Sequence, residues 1–431
     1  MSPNISRRTV LKGAAGLAAA PLLGFTPMPR RGPVPADPFT LGVASGDPGP
    51  DGAVIWTRLA PRPLADDGLG GMPARTVEVQ WEVAADEAFT RPLQRGHTVA
   101  APEAAHSVHV ELAGLPPAGE YFYRFRAEGH LSPVGRTRNT PAPDAMNATL
   151  TLCAASCSNY QHGWFTAYRR LAEEHPDVVV HLGDYLYEYG ARGDRVRDHA
   201  GPETVTLAHY RQRHAQYRTD PDLQAAHAAA PWLVVFDDHE LADNWAGDMP
   251  KRPDAGFPAR RAAALQAYYE NMPLRASAKA RNGGMRLYRR VEWGALATVH
   301  LLDTRQYRSD QACGDRYRSD CAERFDPRRT LLGAEQQRWL LDVSRSRGLA
   351  GICWHNRCSS RRWSSLRVRH AASTRMRGTG TSPSGTASSP GSPTRRCATA
   401  WSSPETCTRT GPLRSAGTRR IRCRLRWPPS W

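Results

Sequence analysis

The sequence predicts an α/β domain that is preceded by a small all-β domain of the immunoglobulin kind. Between residues 38 and 141, apolar and polar side chains alternate in short segments that Gly, Pro and Asp separate. From residue 146 to residue 347, short apolar segments alternate with segments of helical periodicity. Such alternation is typical of a sheet covered by helices, and 431 residues are enough for two domains of this size.

The segment TVEVQWEV (76–83) shows the strand pattern of the first domain most clearly. Val77, Val79, Trp81 and Val83 fall on one face, and the positions between them are polar, which is the period of a half-buried strand. The segments FTLGVASGDP (39–48) and EYFYRFRAEG (120–129) have the same character. Several short strands separated by turns predict a β-sandwich, which the Pro-rich linker 140–145 ends.

The second domain contains four predicted strands and four predicted helices. The strands are TLTLCAASC (149–157), DVVVHLGD (177–184), WLVVFDDHE (232–240) and ALATVHLLDT (295–304). The helices are FTAYRRLAEEH (165–175), PDLQAAHAAA (221–230), RRAAALQAYYE (260–270) and GAEQQRWLLDVSR (333–345). No internal repeat accompanies this pattern.

Polar groups end each of these strands, which is where open α/β sheets bind ligands. Cys157, Asp184, the segment 237–239 and the pair Asp303 and Arg305 hold these positions. Thiol, carboxylate and imidazole groups on successive strand ends indicate a metal site. The segment DDHE carries most weight, because three buried acids beside an imidazole are costly unless a cation neutralises them.

Each position also has a purely structural interpretation. A single cysteine at a strand end, such as Cys157, is often a small buried apolar residue. Tyr187 alone could be a packing residue, and Asp184 could belong to an ordinary Gly-Asp-Tyr turn. Asp303 and Arg305 could form an ion pair with each other.

Seven segments, taken together, resemble the PhoD-type alkaline phosphatases, which belong to the calcineurin-like metallophosphoesterases. The segments are FTLGVASGDPGPDGAVIWTRLAP (39–61), SPVGRTR (132–138), CSNYQHGWFTAY (157–168), HLGDYLYEYG (181–190), FDDHELADNWAG (236–247), AALQAYYENMPLR (263–275) and LLDTRQYRSDQ (301–311). The resemblance implies a metallophosphoesterase fold, a sheet sandwich flanked by helices, over residues 146–347. It also implies a metal-dependent hydrolase of phosphate mono- and diesters, in which a metal-activated water attacks phosphorus. A phospholipase D-like diesterase and a catalytically dead truncated form are the alternatives.

The same resemblance implies the cofactors, which are Fe³⁺ and Ca²⁺, although other divalent metals stay open. Asp184 would bridge the two cations, and Asp238 stands where the wider superfamily has a bridging Asn. His239 would assist the transition state and the leaving group, and Arg305 is the second candidate catalytic residue. The implied metal ligands are Cys157, Asp184, Tyr187 and Asp238. An anionic thiolate or phenolate suits a trivalent iron.

The net charge of +17 comes almost entirely from one part of the chain. Residues 348–431 contain 16 Arg, no Lys and a single acid, Glu405, so that the preceding 347 residues carry a net charge of only +2. The Arg residues are mixed with Ser, Thr, Pro and Trp without a hydrophobic period, which argues against a nucleic-acid-binding surface. We therefore expect no specific nucleic-acid binding; the expected partners are phosphate-ester small molecules, with phospholipids and nucleotides among the candidates.

Residues 1–30 have the pattern of a twin-arginine signal. Arg7 and Arg8 precede the apolar run 13–25, which is too short to span a bilayer. An ordinary secretory signal or a basic arm is the alternative. We expect handling by the twin-arginine translocase and an extracellular, periplasmic or cell-wall location, with a monomeric protein. In such an oxidising compartment Cys313 and Cys321 could form a disulfide.

Residues 348–431 are predicted to be an out-of-frame, disordered tail. The family would continue with R-W-N, W-D-G-Y and V-L-T-G-D-V-H segments, none of which is present. When GC-rich codons for this tail are read two bases later, residues 349–359, 376–381 and 401–408 permit all three segments in the right order. The C-terminal part of the phosphatase domain, including a further metal-binding histidine, is therefore expected to be missing.

Overall fold

The computed structural model describes residues 36–146, 149–316, 320–346, 351–354 and 420–425. The strands are β1 (Val43–Gly46), β2 (Val54–Arg58), β3 (Val77–Ala84), β4 (Pro92–Ala100), β5 (Ser107–Glu111), β6 (Glu120–Ala127), β7 (His130–Leu131), β8 (Gly135–Arg138), β9 (Thr149–Ala155), β10 (Val178–His181), β11 (Pro231–Val234), β12 (Arg289–Trp293), β13 (Ala297–Leu301), β14 (Gly351–Trp354) and β15 (Arg420–Leu425). The helices are α1 (Thr166–Glu173), α2 (Leu207–Arg218), α3 (Pro221–Ala229), α4 (Phe257–Asn271) and α5 (Gly333–Ser346).

A central sheet runs through the molecule in the order β15-β9-β10-β11-β1-β2-β5 within the described residues. Strands β9, β10 and β11 are parallel neighbours, and α1, α2 and α3 lie in the connections between them. Because parallel strands end at the same edge, the residues that follow β9, β10 and β11 meet there. The predicted α/β architecture is confirmed.

The two faces of the central sheet pack against different layers. Val179 and Trp232 belong to the apolar core that includes residues of α1, α3 and α4. Val180 and Leu233 point to the other face, where they pack with Val299 of the second sheet, β12-β13-β14. Successive strand residues thus serve opposite cores, and the resulting sheet sandwich with outer helices is the fold that the sequence resemblance implies.

The N-terminal region is all-β, as predicted, but it is not separate from the rest. Strands β4, β3, β6 and β7 form one sheet, with β8 paired to β6, whereas β1, β2 and β5 belong to the central sheet. Ser45 of β1 pairs in parallel with Pro231 of β11. Val43 and Ile55 pack with Val79 across the sandwich. The boundary expected near residue 141 therefore does not divide the hydrogen-bonded sheets, because β1 pairs with a strand that is distant in sequence.

Helix α2 was not predicted from the sequence. Its residues LAHYRQRHAQYR are mostly polar and show no apolar stripe, yet nine of the twelve are buried. Arg211 lies 2.6 Å from Glu270 of α4 in a buried ion pair, and its backbone oxygen accepts from Arg58 Nη1 at 3.2 Å. Hydrogen bonds and ion pairs, more than apolar contacts, hold this helix between the N-terminal strands and α4.

Two strands fall in the segment predicted to be disordered. Residues 351–354 pair in parallel with β13, and residues 420–425 pair in parallel with β9. At these ten residues the structure differs from the expected disorder, because the free edge of a sheet pairs with extended backbone of almost any sequence. The other residues of 348–431 lie outside the described residues, as does the predicted signal 1–30.

Two further features concern export. Cys313 and Cys321 form a disulfide, as predicted. Over the described ranges, no helix has the length and apolarity that crossing a membrane requires.

Candidate metal centre

Three loops converge at the carboxyl edge of the central sheet. Cys157 follows β9, Asp184 follows β10, and residues 237–240 follow β11. The backbone nitrogen of Cys157 donates to Gly183 O at 3.1 Å, and that of Ser158 donates to Asp184 O at 2.8 Å. Both Cys157 and Asp184 have left-handed backbones, with φ of 57° and 53°. Such conformations cost about 1–3 kcal/mol each and concentrate at functional sites.

Gly183 allows two of these loops to approach each other. Its φ is +100°, a region that residues with a side chain rarely adopt, and a Cβ there would overlap the backbone nitrogen of Asp237. Only glycine therefore permits the loops after β10 and β11 to lie this close. The contact brings Asp184 next to the carboxylates that follow β11.

The structure brings the predicted ligands together around Asp184. Asp184 Oδ2 lies 3.5 Å from Cys157 Sγ and 3.4 Å from the Tyr187 hydroxyl. One ligand atom from each of Asp184, Asp238 and His239 lies within 4.8 Å of the others. The side chains of Cys157, Asp184, Tyr187, Asp238 and His239 thus lie close together, as a shared metal site would require.

The acids of this site are buried together, and the pKa of three of them is raised. Burial first, and then the charges of Asp237 and Asp238, raises the pKa of Asp184 to about 7. Burial likewise raises the pKa of Asp237 to about 6, although Arg305 opposes the shift. The pKa of Glu240 lies well above its usual range, again chiefly through burial. The ionised carboxylates therefore need more positive charge than the surrounding side chains supply.

The thiol and phenol at the site are also kept protonated by their surroundings. Desolvation of the sulfur, and then the charge of Asp184, raises the pKa of Cys157 to about 12, although the residue lies at the solvent-exposed mouth of the site. Burial raises the pKa of the Tyr187 phenol, with Asp184 as the next contributor. A set of carboxylate, thiol and phenol donors with a surplus of negative charge is the donor set that a highly charged cation requires, so these residues fit the implied metals.

Arg305 lies inside this site, bound to the acids that follow β11. Its Nε donates to Asp237 Oδ1, and its Nη2 donates to Asp238 Oδ1 at 2.9 Å. Its Nη1 donates to Asn244 Oδ1 at 2.9 Å and to Trp245 O at 3.2 Å. Asp303, the other acid that the sequence offered as a partner, accepts from the backbone nitrogen of Arg305 at 3.0 Å. In this arrangement Arg305 orients carboxylates.

His239 is held by a carboxylate that the sequence analysis did not single out. Its Nδ1 lies 2.7 Å from Glu188 Oε2, and its ring centroid lies 4.2 Å from that of Tyr187. Desolvation opposes the charged ring, but the hydrogen bond and charge of Glu188, followed by Asp184 and Asp238, raise the pKa of His239 to about 9. These contacts favour the protonated imidazole.

Glu240 and Asn244 also support the site without having been predicted. Glu240 accepts from the backbone nitrogens of Tyr185 and Asp237, at 2.7 and 2.9 Å, and so joins the loops after β10 and β11. Asn244 donates its backbone nitrogen to Asp238 Oδ2 at 2.7 Å. The acid in DDHE was a visible signal for Glu240, but neither Glu188 nor Asn244 stands out in the sequence.

The fold and the donors at its strand ends define an α/β metallophosphoesterase preceded by an all-β region. The profile described as "PhoD-like phosphatase" matches residues 152–355, and that of the "PhoD-like phosphatase, N-terminal domain" matches residues 27–141. The chain belongs to the PhoD-like phosphatase family. The profile of the twin-arginine translocation signal matches residues 4–24, which indicates export by that route.

Two individual proteins show how far the similarity extends. The chain is 51% identical to alkaline phosphatase D of Bacillus subtilis (strain 168) over 312 residues, which are 71% of this chain and 53% of the relative. The solved structure titled "Structure of PhoD" is 50% identical, with a TM-score of 0.72, and the match covers 74% of this chain and 62% of that one. The chain therefore spans about half the length of the curated relative that it matches.

Proposed function

We propose that this protein acts as an exported, metal-dependent alkaline phosphatase that hydrolyses phosphate mono- and diesters. The convergence of Cys157, Asp184, Tyr187, Asp238 and His239 on one point at the sheet edge is the observation that carries the proposal. Bound Fe³⁺ and Ca²⁺ would supply Lewis acidity, which lowers the pKa of a water and neutralises charge on the phosphoryl group.

The side chains of the site divide this work among themselves. Asp184 contacts the thiol and the phenol through Oδ2 and lies within 4.8 Å of Asp238 and His239, so it would hold the metals together with these side chains. His239 is held by Glu188 through Nδ1, and its Nε2, which lies 4.0 Å from Asp238 Oδ2, would give a proton to the departing alkoxide. Arg305 fixes Asp237 and Asp238, and it would act on the phosphoryl group from beside these carboxylates.

We also propose that the tail from about residue 348 is an out-of-frame version of the missing catalytic segment. The absent V-L-T-G-D-V-H segment would bring a further histidine to the metals. The chain with its present sequence, called here the literal chain, is then expected to bind metal poorly. The frame-restored chain, in which the segment after residue 347 is returned to the reading frame of the family, is expected to bind it fully. Phosphate esters, including nucleotides and phospholipids, are the expected substrates, and the twin-arginine translocase is the expected export partner.

The test compares the literal chain with the frame-restored chain. Metal content is measured by elemental analysis, and activity with p-nitrophenyl phosphate and bis-p-nitrophenyl phosphate. We expect iron, calcium and chelator-sensitive hydrolysis in the restored chain and little of any in the literal one. Asp184→Asn in the restored chain is the matched control, since it removes one donor and little volume. Hydrolysis that resists chelators would refute metal dependence, and equal activity of the two chains would refute the frame hypothesis.

A further inference from the structure

Arg218, the last residue of α2, carries a buried charge that lacks a counter-ion. Its side chain is fully buried, and none of its three guanidinium nitrogens has a hydrogen-bond partner among the described residues. One face of the guanidinium lies 4.5 Å from the ring centroid of Trp56, and the neutral Tyr185 hydroxyl interacts with it without supplying a negative charge. The other buried arginines nearby differ, because Arg211 pairs with Glu270 and Arg58 donates to four acceptors.

The polar groups around Arg218 are neutral and can donate hydrogen bonds. Both ring nitrogens of His214, one turn earlier on α2, are buried and lack partners within the described part of the chain. The buried Tyr123 hydroxyl interacts with Ser45 and lies near Arg218. The Tyr185 hydroxyl forms a hydrogen bond with His227 Nε2, and the two atoms lie 3.0 Å apart. We call Trp56, Tyr123, Tyr185, His214 and Arg218 the interdomain arginine cluster, since it joins N-terminal strands to phosphatase elements.

An arginine cannot relieve its burial by losing a proton, whereas a buried carboxylate can gain one. The carbonyl end of α2 offers Arg218 only a partial negative charge, and those carbonyls do not reach its nitrogens. Water would satisfy some hydrogen bonds but would leave the net charge in place. The set contains one cation and no anionic group among the described residues, and its phenol hydroxyls and imidazole can donate hydrogen bonds, which matches the needs of an anion.

We propose that the interdomain arginine cluster binds a small monovalent anion, with chloride as its expected occupant. One charge is appropriate because the guanidinium of Arg218 is the single unpaired cation within the cluster. A small, spherical anion is appropriate because every member named here is buried or nearly so, and the donors approach from different elements. The anion would contact side chains of the N-terminal strands and of α2 at the same time, so its role would be to stabilise the packing between these elements.

Bromide, which replaces chloride and scatters anomalously, tests the site in the unmodified chain. Crystals of the full chain are grown in sodium bromide, and an anomalous difference map is calculated at the bromine edge. We expect a peak at about 3.2–3.5 Å from the Arg218 guanidinium, a hydrogen-bond contact lengthened for a larger anion. Water density or a protein segment at this position, without an anomalous peak, would overturn the proposal.

Thermal unfolding tests the same site in solution. The melting temperature is followed from low to high sodium chloride, with sodium gluconate keeping the ionic strength constant. A saturable rise is expected for the unmodified chain and for Arg58→Met, because a ligand that binds only the folded state stabilises it. Arg218→Met should show no chloride-specific rise. The same rise in Arg218→Met as in the unmodified chain would contradict the proposal, and the bromide map decides if that variant does not fold.

Discussion

The metal centre and the interdomain arginine cluster both bury an excess of charge, but of opposite sign. At the metal centre, Asp184 and Asp237 have pKa values raised to about 7 and about 6, so these acids can take up protons when cations are absent. Arg218 is fully buried and has no such means of becoming neutral. The difference shows that the metal centre can be stable without cations, to a degree that depends on pH. The interdomain arginine cluster, in contrast, needs an anion to neutralise Arg218 whenever the protein is folded.

The largest expected effect comes from removing the central acid of the metal centre. In the frame-restored chain, Asp184→Asn should lower kcat and iron content by at least about 100-fold, more than the loss typical of outer-shell changes. In the metal-free protein the same change should raise the melting temperature, because it removes one of several mutually repelling buried charges. Elemental analysis, steady-state kinetics and thermal melts check both halves. A metal-free variant that melts lower than the unmodified chain would show that the hydrogen bonds of Asp184 outweigh the repulsion between the acids.

The two arginines give the sharpest contrast between the regions. Arg305→Met leaves Asp237 and Asp238 buried without their cation and should lower the free energy of unfolding by about 3–5 kcal/mol. Arg218→Met removes a buried cation that has no acid paired with it in the described part of the chain, so at low chloride it should be neutral or stabilising by up to about 4 kcal/mol. Urea denaturation at pH 8 in gluconate measures both. Equal losses in the two variants would mean that Arg218 has a counter-charge after all.

Substitution of two glycines separates the energetic cost of backbone strain from that of steric contact at the metal centre. Gly183 and Gly193 have left-handed φ angles of +100° and +66°, but only at Gly183 would a Cβ meet other atoms. Gly193→Ala should therefore cost about 1 kcal/mol from conformation alone. Gly183→Ala should cost more than about 2 kcal/mol and also weaken metal binding, because the loops after β10 and β11 must separate. Similar losses in stability and unchanged metal content would refute this explanation.

The smallest expected effect is a change in pH dependence at the interdomain arginine cluster. Burial, followed by the charges of Arg58 and Arg218, lowers the pKa of His214 to about 3. The folded state thus favours neutral His214, whose stabilising contribution is complete above the unfolded pKa of about 6.5 and is lost as pH falls from there toward 3. His214→Leu should reduce the pH slope of the unfolding free energy by about 1.4 kcal/mol per pH unit between pH 4.5 and 6. An unchanged slope in that window would show that His214 is not buried in its neutral form.

The sequence predicted those parts of the site that depend on local pattern. The apolar strands β9, β10 and β11 and the polar groups that follow them were visible in the sequence, so Cys157 and Asp184 could be placed at one edge. The partners of Arg305 were not predictable, because Asp237 and Asp238 lie more than 60 positions away in sequence. Glu188 was missed because one acid among several aromatic residues carries no periodic signal.

The fold shows the same division. Helix α2 escaped prediction because its polar residues are buried through hydrogen bonds and ion pairs, while sequence patterns report mainly apolar burial. The insertion of β1 beside β11 was missed for a different reason, since register between distant strands depends on the complete sheet. The chemical groups within local segments could therefore be predicted from the sequence, whereas the pairing of strands distant in sequence could not.

The parallel pairing of β1 with β11 makes the phosphatase half inseparable from its N-terminal neighbour. A fragment starting at residue 146 would leave β11 as an open sheet edge, which favours self-association. It would also lack the Trp56 indole, which donates to Glu270 O at 2.9 Å. Recombination among relatives, whether in evolution or by design, must therefore transfer both halves as one unit if the product is to stay soluble.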